Sequence, residues 1–190
     1  MFMLIAGLVI FLLTHSVSIV APGARDRWVA RLGAGAWRGL YSLVSLGGFV
    51  LLVMGFRAAR LEPVMLYSPP TWLRDLALLL MLPVFPMLLA AYLPGRIQVT
   101  LKHPMLAAVK AWALAHLLAN GTLADVLLFG SLLAWAVVDR ISLKRRPSGR
   151  VALGRAAPWN DWVAVIAGLA LYAAFLLGVH RYLFGVSPLG

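Results

Sequence analysis

The chain has 190 residues, 63% of them apolar, with a mean hydropathy of +0.92, a formal net charge of +11 and no cysteine. No soluble domain of this size needs so much apolar surface, and runs of about 18–20 apolar residues recur, each long enough to cross a hydrocarbon core about 30 Å thick. The absence of cysteine excludes disulfides, thiolate metal sites and thiol chemistry. The basic residues fall in short loops between apolar runs, so orientation in a membrane accounts for them and nucleic acid does not.

The first span covers roughly Met1–Val20. It lacks the positive n-region and the A-x-A site of a cleavable signal peptide. His15 lies towards its C-terminal end, beside Thr14, Ser16 and Ser18. A loop over about residues 21–38 carries Arg25, Arg27, Arg31 and Arg38, and the second span runs from about Gly39 to Phe56, preceded and opened by WRGLYSLVSLGG. Arg57, Arg60, Glu62 and the turn Tyr67-Ser68-Pro69-Pro70 lead to a third span, about Trp72–Leu93, which Pro83 and Pro86 should kink. A bundle tolerates such kinks where neighbours re-satisfy the freed carbonyls.

Beyond Arg96 and Lys102, residues His103–Trp135 read as a helical hairpin that forms the fourth and fifth spans. His103-Pro104 opens it, since proline suits the first helical position, where no intrahelical donor is needed. Asn120-Gly121 is expected to close its first helix in the left-handed conformation. Thr122 and Asp125 fit a capping box, T-x-x-D, that starts the second. The first helix is short if it stops at Asn120, which suggests an oblique span or one that starts before His103. The basic loop Asp139–Asp161 follows, and Trp159 and Trp162 bracket the start of a sixth span as interface anchors. That span ends near His180-Arg181-Tyr182. Small-residue pairs such as Ala164/Gly168 and Gly130/Ala134 suit close helix contacts.

These elements predict an all-α, multi-pass transmembrane helical bundle of about six spans, forming one domain over residues 1–190. Thirteen of the seventeen lysines and arginines fall on the first, third and fifth loops, Lys110 included. The positive-inside rule then puts both termini outside.

Soluble-enzyme signatures are missing: the sequence has no P-loop, G-x-G-x-x-G after a strand, G-x-S-x-G or H-E-x-x-H. The six acidic residues mostly flank the spans, which leaves His15, His103, His116 and His180 as candidate chemistry. Ionisable groups within a bilayer are costly and face the protein interior. His116, with Trp112 and Asn120 at i−4 and i+4 on its own face, reads either as a cofactor ligand or as an interhelical hydrogen-bonding residue. The same two readings apply to His15. His103, next to Lys102, fits a capping or headgroup role as well as catalysis, and His180 fits the outer interface. Zinc would need a third and fourth ligand that nothing supplies. Heme needs one or two axial ligands and gains affinity from burial of the porphyrin. If His15 and His116 bind iron, the other ring nitrogen needs an acceptor, and Ser18 and Asn120, one turn beyond each histidine, are the nearest in sequence.

The stretch KHPMLAAVKAWALAHLLANGTLADVLLFGSLLAW, together with WRGLYSLVSL, resembles the NnrU family of bacterial membrane proteins, with HP at 103–104, AHLLANG at 115–121 and LYSLVS at 40–45 as its firmest motifs. That family is associated with nitrite and nitric oxide metabolism and is related to ζ-carotene isomerase, whose members bind a b-type heme through two histidines. The resemblance implies heme b, with His116 as the histidine of AHLLANG and His15 as that of the first span. It also implies a bacterial inner membrane and a redox-linked role, either on a nitrogen oxide or in cis–trans isomerisation of an apolar ligand. Two other classes stay open. Lys102-His103-Pro104 is similar to the R-H-P motif of isoprenylcysteine-type methyltransferases, which bind S-adenosylmethionine, although the carboxylate-rich C-terminal helix is missing. A small bundle with short loops would also suit a non-catalytic accessory protein of a respiratory complex.

Overall fold

The computed structural model describes residues 1–145 and 156–190; Arg146, Ser148, Arg150 and Arg155 of the basic loop lie outside them. The described residues are helical apart from short connections and one isolated bridge, Met65 to Thr122. The chain is an all-α, multi-pass membrane protein. Five helical stretches are long and apolar enough to span: Phe2–Val20, Ala34–Ala59, Thr71–Ala90, Leu123–Arg145 and Asn160–Phe184. Their apolar side chains stay outward, as with Leu43 (70% exposed) and Leu79 (68%), which fits lipid rather than water around them. Two compact units account for the packing: residues 1–68 with 121–142, and residues 69–120 with 143–190.

In the first unit, α1 (Phe2–Val20) and α3 (Ala34–Ala59) run antiparallel in close contact. Leu4 faces Gly55, Gly7 faces Leu52 and Phe11 faces Gly48, so the register advances by one turn at each step. A Cβ on Gly7 or Gly55 would overlap the facing backbone, and one on Gly48 would come within 2.9 Å of the Phe11 nitrogen. Glycine therefore sets the separation of these helices. The stretch expected as a loop between them is mostly helix, α2 (Pro22–Leu32), which Gly33 ends at φ 81°. α8 (Leu123–Arg145) belongs to this unit as far as Ser142. Its capping box forms as expected. Thr122 donates its backbone N–H (3.1 Å) and hydroxyl (2.6 Å) to the Asp125 carboxylate, and Asp125 N–H donates back to the Thr122 hydroxyl at 3.2 Å.

The second unit is built from interrupted helices. α4 (Thr71–Met81) and α5 (Val84–Ala90) are parted at Leu82-Pro83, the expected kink. α6 (Arg96–Leu101) stops at Lys102, a non-glycine residue at φ 63°. α7 (Pro104–Ala119) then starts afresh with His103 as its N-cap and Pro104 as its first residue. The fourth apolar helix thus does not extend back past His103, and its 16 residues give about 24 Å of helix. α9 (Asn160–Ala174) passes through a π-helical turn, Phe175–Val179, into α10 (His180–Phe184).

Polar clips hold these pieces. Asp161 accepts from the backbone N–H of Arg96 (2.8 Å) and Ile97 (3.0 Å), Asn160 Nδ2 donates to the Pro94 carbonyl (2.7 Å), and the Tyr172 hydroxyl donates to the Leu78 carbonyl (2.7 Å). The Ala164/Gly168 pair is a close contact as expected: Ala164 is fully buried, and a Cβ on Gly168 would overlap the Pro86 backbone. The Gly130/Ala134 pair is corrected, since Gly130 has open space where a Cβ would stand.

The close of α7 also departs from expectation. Asn120 is extended (φ −131°, ψ 142°) and Gly121 is not among the positive-φ residues. Gly121 is required by proximity. Its carbonyl accepts from Leu66 N–H (2.8 Å) and Tyr67 N–H (3.2 Å), and a Cβ there would run into the Tyr67 carbonyl.

Candidate functional site

One turn past the Phe11–Gly48 crossing, α1 brings His15 against the opening turns of α3. Phe11 stacks on its ring at 4.1 Å between centroids, Tyr41 of α3 meets it edge-on at 5.5 Å, and Trp135 of α8 stands perpendicular at 6.0 Å. His15 Nδ1 lies 2.7 Å from the Phe11 carbonyl. A carbonyl only accepts, so Nδ1 carries the proton and Nε2 holds the lone pair of the neutral ring. Beside it, the indole N–H of Trp135 is buried with no hydrogen-bond partner among the described residues. A buried donor of this kind costs stability unless something satisfies it.

His116 in α7 repeats the arrangement within the second unit. Its Nδ1 lies 2.8 Å from the Trp112 carbonyl, one turn back, and the Trp112 ring tilts against it at 5.1 Å between centroids. The tautomer is again Nδ1–H with the lone pair on Nε2. Asn120 is tied to the same turn: its backbone N–H and its Nδ2 each donate to the His116 carbonyl at 2.9 Å. The acceptor role suggested for Ser18 and Asn120 is therefore filled at both rings by the helix's own carbonyls, Phe11 and Trp112. Ser18 lines a polar cavity at the end of α1.

His103 caps the opposite end of α7, about 20 Å along the axis from His116, and its carbonyl accepts from Ala107 N–H at 3.2 Å. His180 begins α10, with Nδ1 2.8 Å from the Val186 carbonyl and its ring 4.9 Å from that of Phe184. His15 and Ser18 fall in the first unit, and His116, Asn120, His103 and His180 in the second. Among the described residues, no three or more histidine or acidic side chains gather as a metal-binding cluster.

The sequence pattern offered Trp112 because it sits four residues from His116. It offered neither Tyr41 nor Trp135 for His15, because both come from other helices. The register of α1 on α3, read from the glycines, is the signal that finds Tyr41.

No curated protein and no solved structure matches this chain. The model of the family described as "NnrU protein" matches residues 3–188, nearly the whole length that carries both histidine-bearing helices. The chain belongs to the NnrU family.

Proposed function

We propose that this NnrU protein binds a b-type heme, with His15 and His116 as imidazole ligands, and that it serves a redox-linked role in nitrogen oxide metabolism or in cis–trans isomerisation of an apolar ligand. One observation carries the reading: each ring has its Nδ1 proton held by the carbonyl one turn back, which leaves Nε2 as the lone-pair nitrogen. An imidazole that binds iron through Nε2 needs this tautomer. The neighbours of His15 would also suit a porphyrin face, because Phe11, Tyr41 and Trp135 gather flat aromatic rings about it. The unpartnered Trp135 N–H would be satisfied by a polar group brought with the ligand. Heme would supply an iron that changes oxidation state, and the protein's part is to hold the imidazoles, fix their tautomer and keep the site dry.

The setting would be a bacterial inner membrane with both termini outside. A reporter active only in the periplasm, fused after Gly190, should then be active.

Absorption of the detergent-purified protein tests the cofactor. Wild type should show a Soret band that moves on dithionite reduction. His116→Ala should lose most of the heme, His15→Ala should lose it or shift it to a high-spin spectrum, and His180→Ala should match wild type. A heme-free wild type, or unchanged spectra in both the His15 and His116 variants, would overturn the assignment.

A further inference from the structure

The lower end of the first unit holds a second site with different chemistry. The last turn of α1, helix α2 and the first turns of α3 border an open cavity of about 360 Å³ lined by Ser18, Arg25, Trp37, Arg38, Tyr41 and Ser42. The polar residues that line it are two arginines, two serines, a tyrosine and a tryptophan, with no acidic residue among them. Arg38 is braced from below, its Nε donating to the Ala34 carbonyl at 3.1 Å, which leaves its terminal nitrogens as donors. Arg25 pairs with Asp26 at 3.2 Å, but both side chains are more than half exposed (54% and 74%), and an exposed pair of this kind holds its partners weakly. From Ala21 to Arg38 the chain carries Arg25, Arg27, Arg31 and Arg38 against the single acid Asp26.

Such a set of donors recognises an oxyanion with several acceptor oxygens. Two guanidinium forks flanked by hydroxyls suit a tetrahedral phosphate better than a single carboxylate. The site lies where two apolar helices end, with Trp37 in its lining and Trp28 nearby in sequence, which is the level of a membrane interface. The preceding turns of α1 line an apolar groove. A cavity of about 320 Å³ runs beside α1, lined by Ile5, Val9, Leu13 and Ser16 with Leu127 and Ser131 of α8. Val9, Leu13 and Val17 follow one another at i, i+4 on one face of α1, and Val17 also lines the basic cavity. A polar head and an apolar tail can therefore be held along a single helix.

We infer that the first unit binds an anionic phospholipid, with its phosphate held by Arg25, Arg38 and the hydroxyls of Ser18, Tyr41 and Ser42, and one acyl chain lying in the groove along α1. The juxtapositions commit the site to a lipid rather than to a soluble anion, because the apolar groove has no role for inorganic phosphate. The site shares Tyr41 with the surroundings of His15, but Arg25 and Arg38, which carry its charge and its test, take no part in the heme reading.

Native mass spectrometry of the full chain in mild detergent, titrated with phosphatidylglycerol or phosphatidylcholine, tests this directly. Wild type should retain phosphatidylglycerol about tenfold more strongly than phosphatidylcholine. The double variant Arg25→Gln/Arg38→Gln should lose that preference, whereas Arg57→Gln/Arg60→Gln, at the far end of α3, should keep it. Should the double variant aggregate, Arg38→Gln alone decides, with a several-fold loss expected. Equal retention by wild type and the Arg25/Arg38 variants would overturn the proposal. Displacement of the lipid by inorganic phosphate at millimolar concentration would overturn the lipid commitment in favour of a free-anion site.

Discussion

The two units solve the same packing problem in opposite ways. The first is made of long, unbroken helices whose backbone groups are satisfied within each helix, and its α1–α3 seam closes through Gly7, Gly48 and Gly55. The second is made of helices broken at Pro83, Lys102 and Phe175–Val179, and each break frees backbone groups. There Tyr172 donates to the Leu78 carbonyl ahead of the Pro83 break, and Asp161 and Asn160 take up the backbone groups of Arg96, Ile97 and Pro94 where α5 gives way to α6. In an apolar solvent an unmet N–H or carbonyl is expensive. A continuous helix can therefore specialise in shape, and a broken one must carry polar partners.

That contrast can be broken at several points. The largest effect is expected from Gly55→Val or Gly7→Val, whose new side chain would overlap backbone that cannot swing away. A loss of about 3 kcal/mol or more is expected, read as aggregation or a lower melting temperature in detergent. Gly47→Val is the control, since nothing lies within 4 Å of its Cβ position. If both behaved alike, glycine would not set the seam. Next, Asp161→Ala should cost about 1–2 kcal/mol, because it strips the acceptor from two N–H groups at the start of α6. Thr14→Val in the first unit removes only an exposed bond to its own helix and should scarcely register. Equal losses would erase the distinction between the units.

Smaller again is Thr122→Ala, expected to cost about 1 kcal/mol and to raise hydrogen exchange in the first turn of α8 while leaving α6 protected. The least effect concerns alkali. Burial and, after it, the Asp125 carboxylate hold the Tyr67 phenol above its ordinary value. The folded chain keeps that proton to higher pH than the unfolded chain does. Its contribution to stability is therefore complete below about pH 10 and is lost as the pH rises beyond it. Tyr67→Phe should flatten that alkaline decline, and Asp125→Asn should move the phenolate absorbance step to lower pH.

What the sequence made legible was chemistry confined to one turn. His103-Pro104, the T-x-x-D box at Thr122, the proline kink and the Trp112/His116 pair need only neighbours a few residues away, so spacing alone finds them. What depends on a distant partner was hidden or misread. Gly121 looked like a left-handed cap and is instead the place where residues 64–67 press close. Gly130/Ala134 had the spacing of a helix contact, but among the described residues a Cβ on Gly130 would meet open space, whereas Gly7, Gly48 and Gly55 show their role only once α1 is laid on α3. Helix α2 was read as a loop because it is short and carries three arginines, Arg25, Arg27 and Arg31, between two apolar spans. For the candidate site, the two histidines were visible, but the carbonyls that fix their protons were not, since every residue has a carbonyl and no letter marks which one is used.

The π-helical turn Phe175–Val179 has a consequence for how this chain can vary over evolutionary time. It fits one more residue into a turn than an α-helix does, so everything after it is rotated by roughly 100° relative to an uninterrupted helix. The face that carries Ala164 and Gly168 towards Pro86 consequently does not continue into His180–Phe184. The azimuth of His180 is set by the form of that turn. Rewinding the turn into α-helix at unchanged sequence would swing His180 to another side, whereas deleting Leu177 would remove the extra residue and the π-turn together and leave His180 on the side it occupies. The turn therefore lets this helix gain or lose one residue over evolutionary time while the C-terminal turn keeps its side.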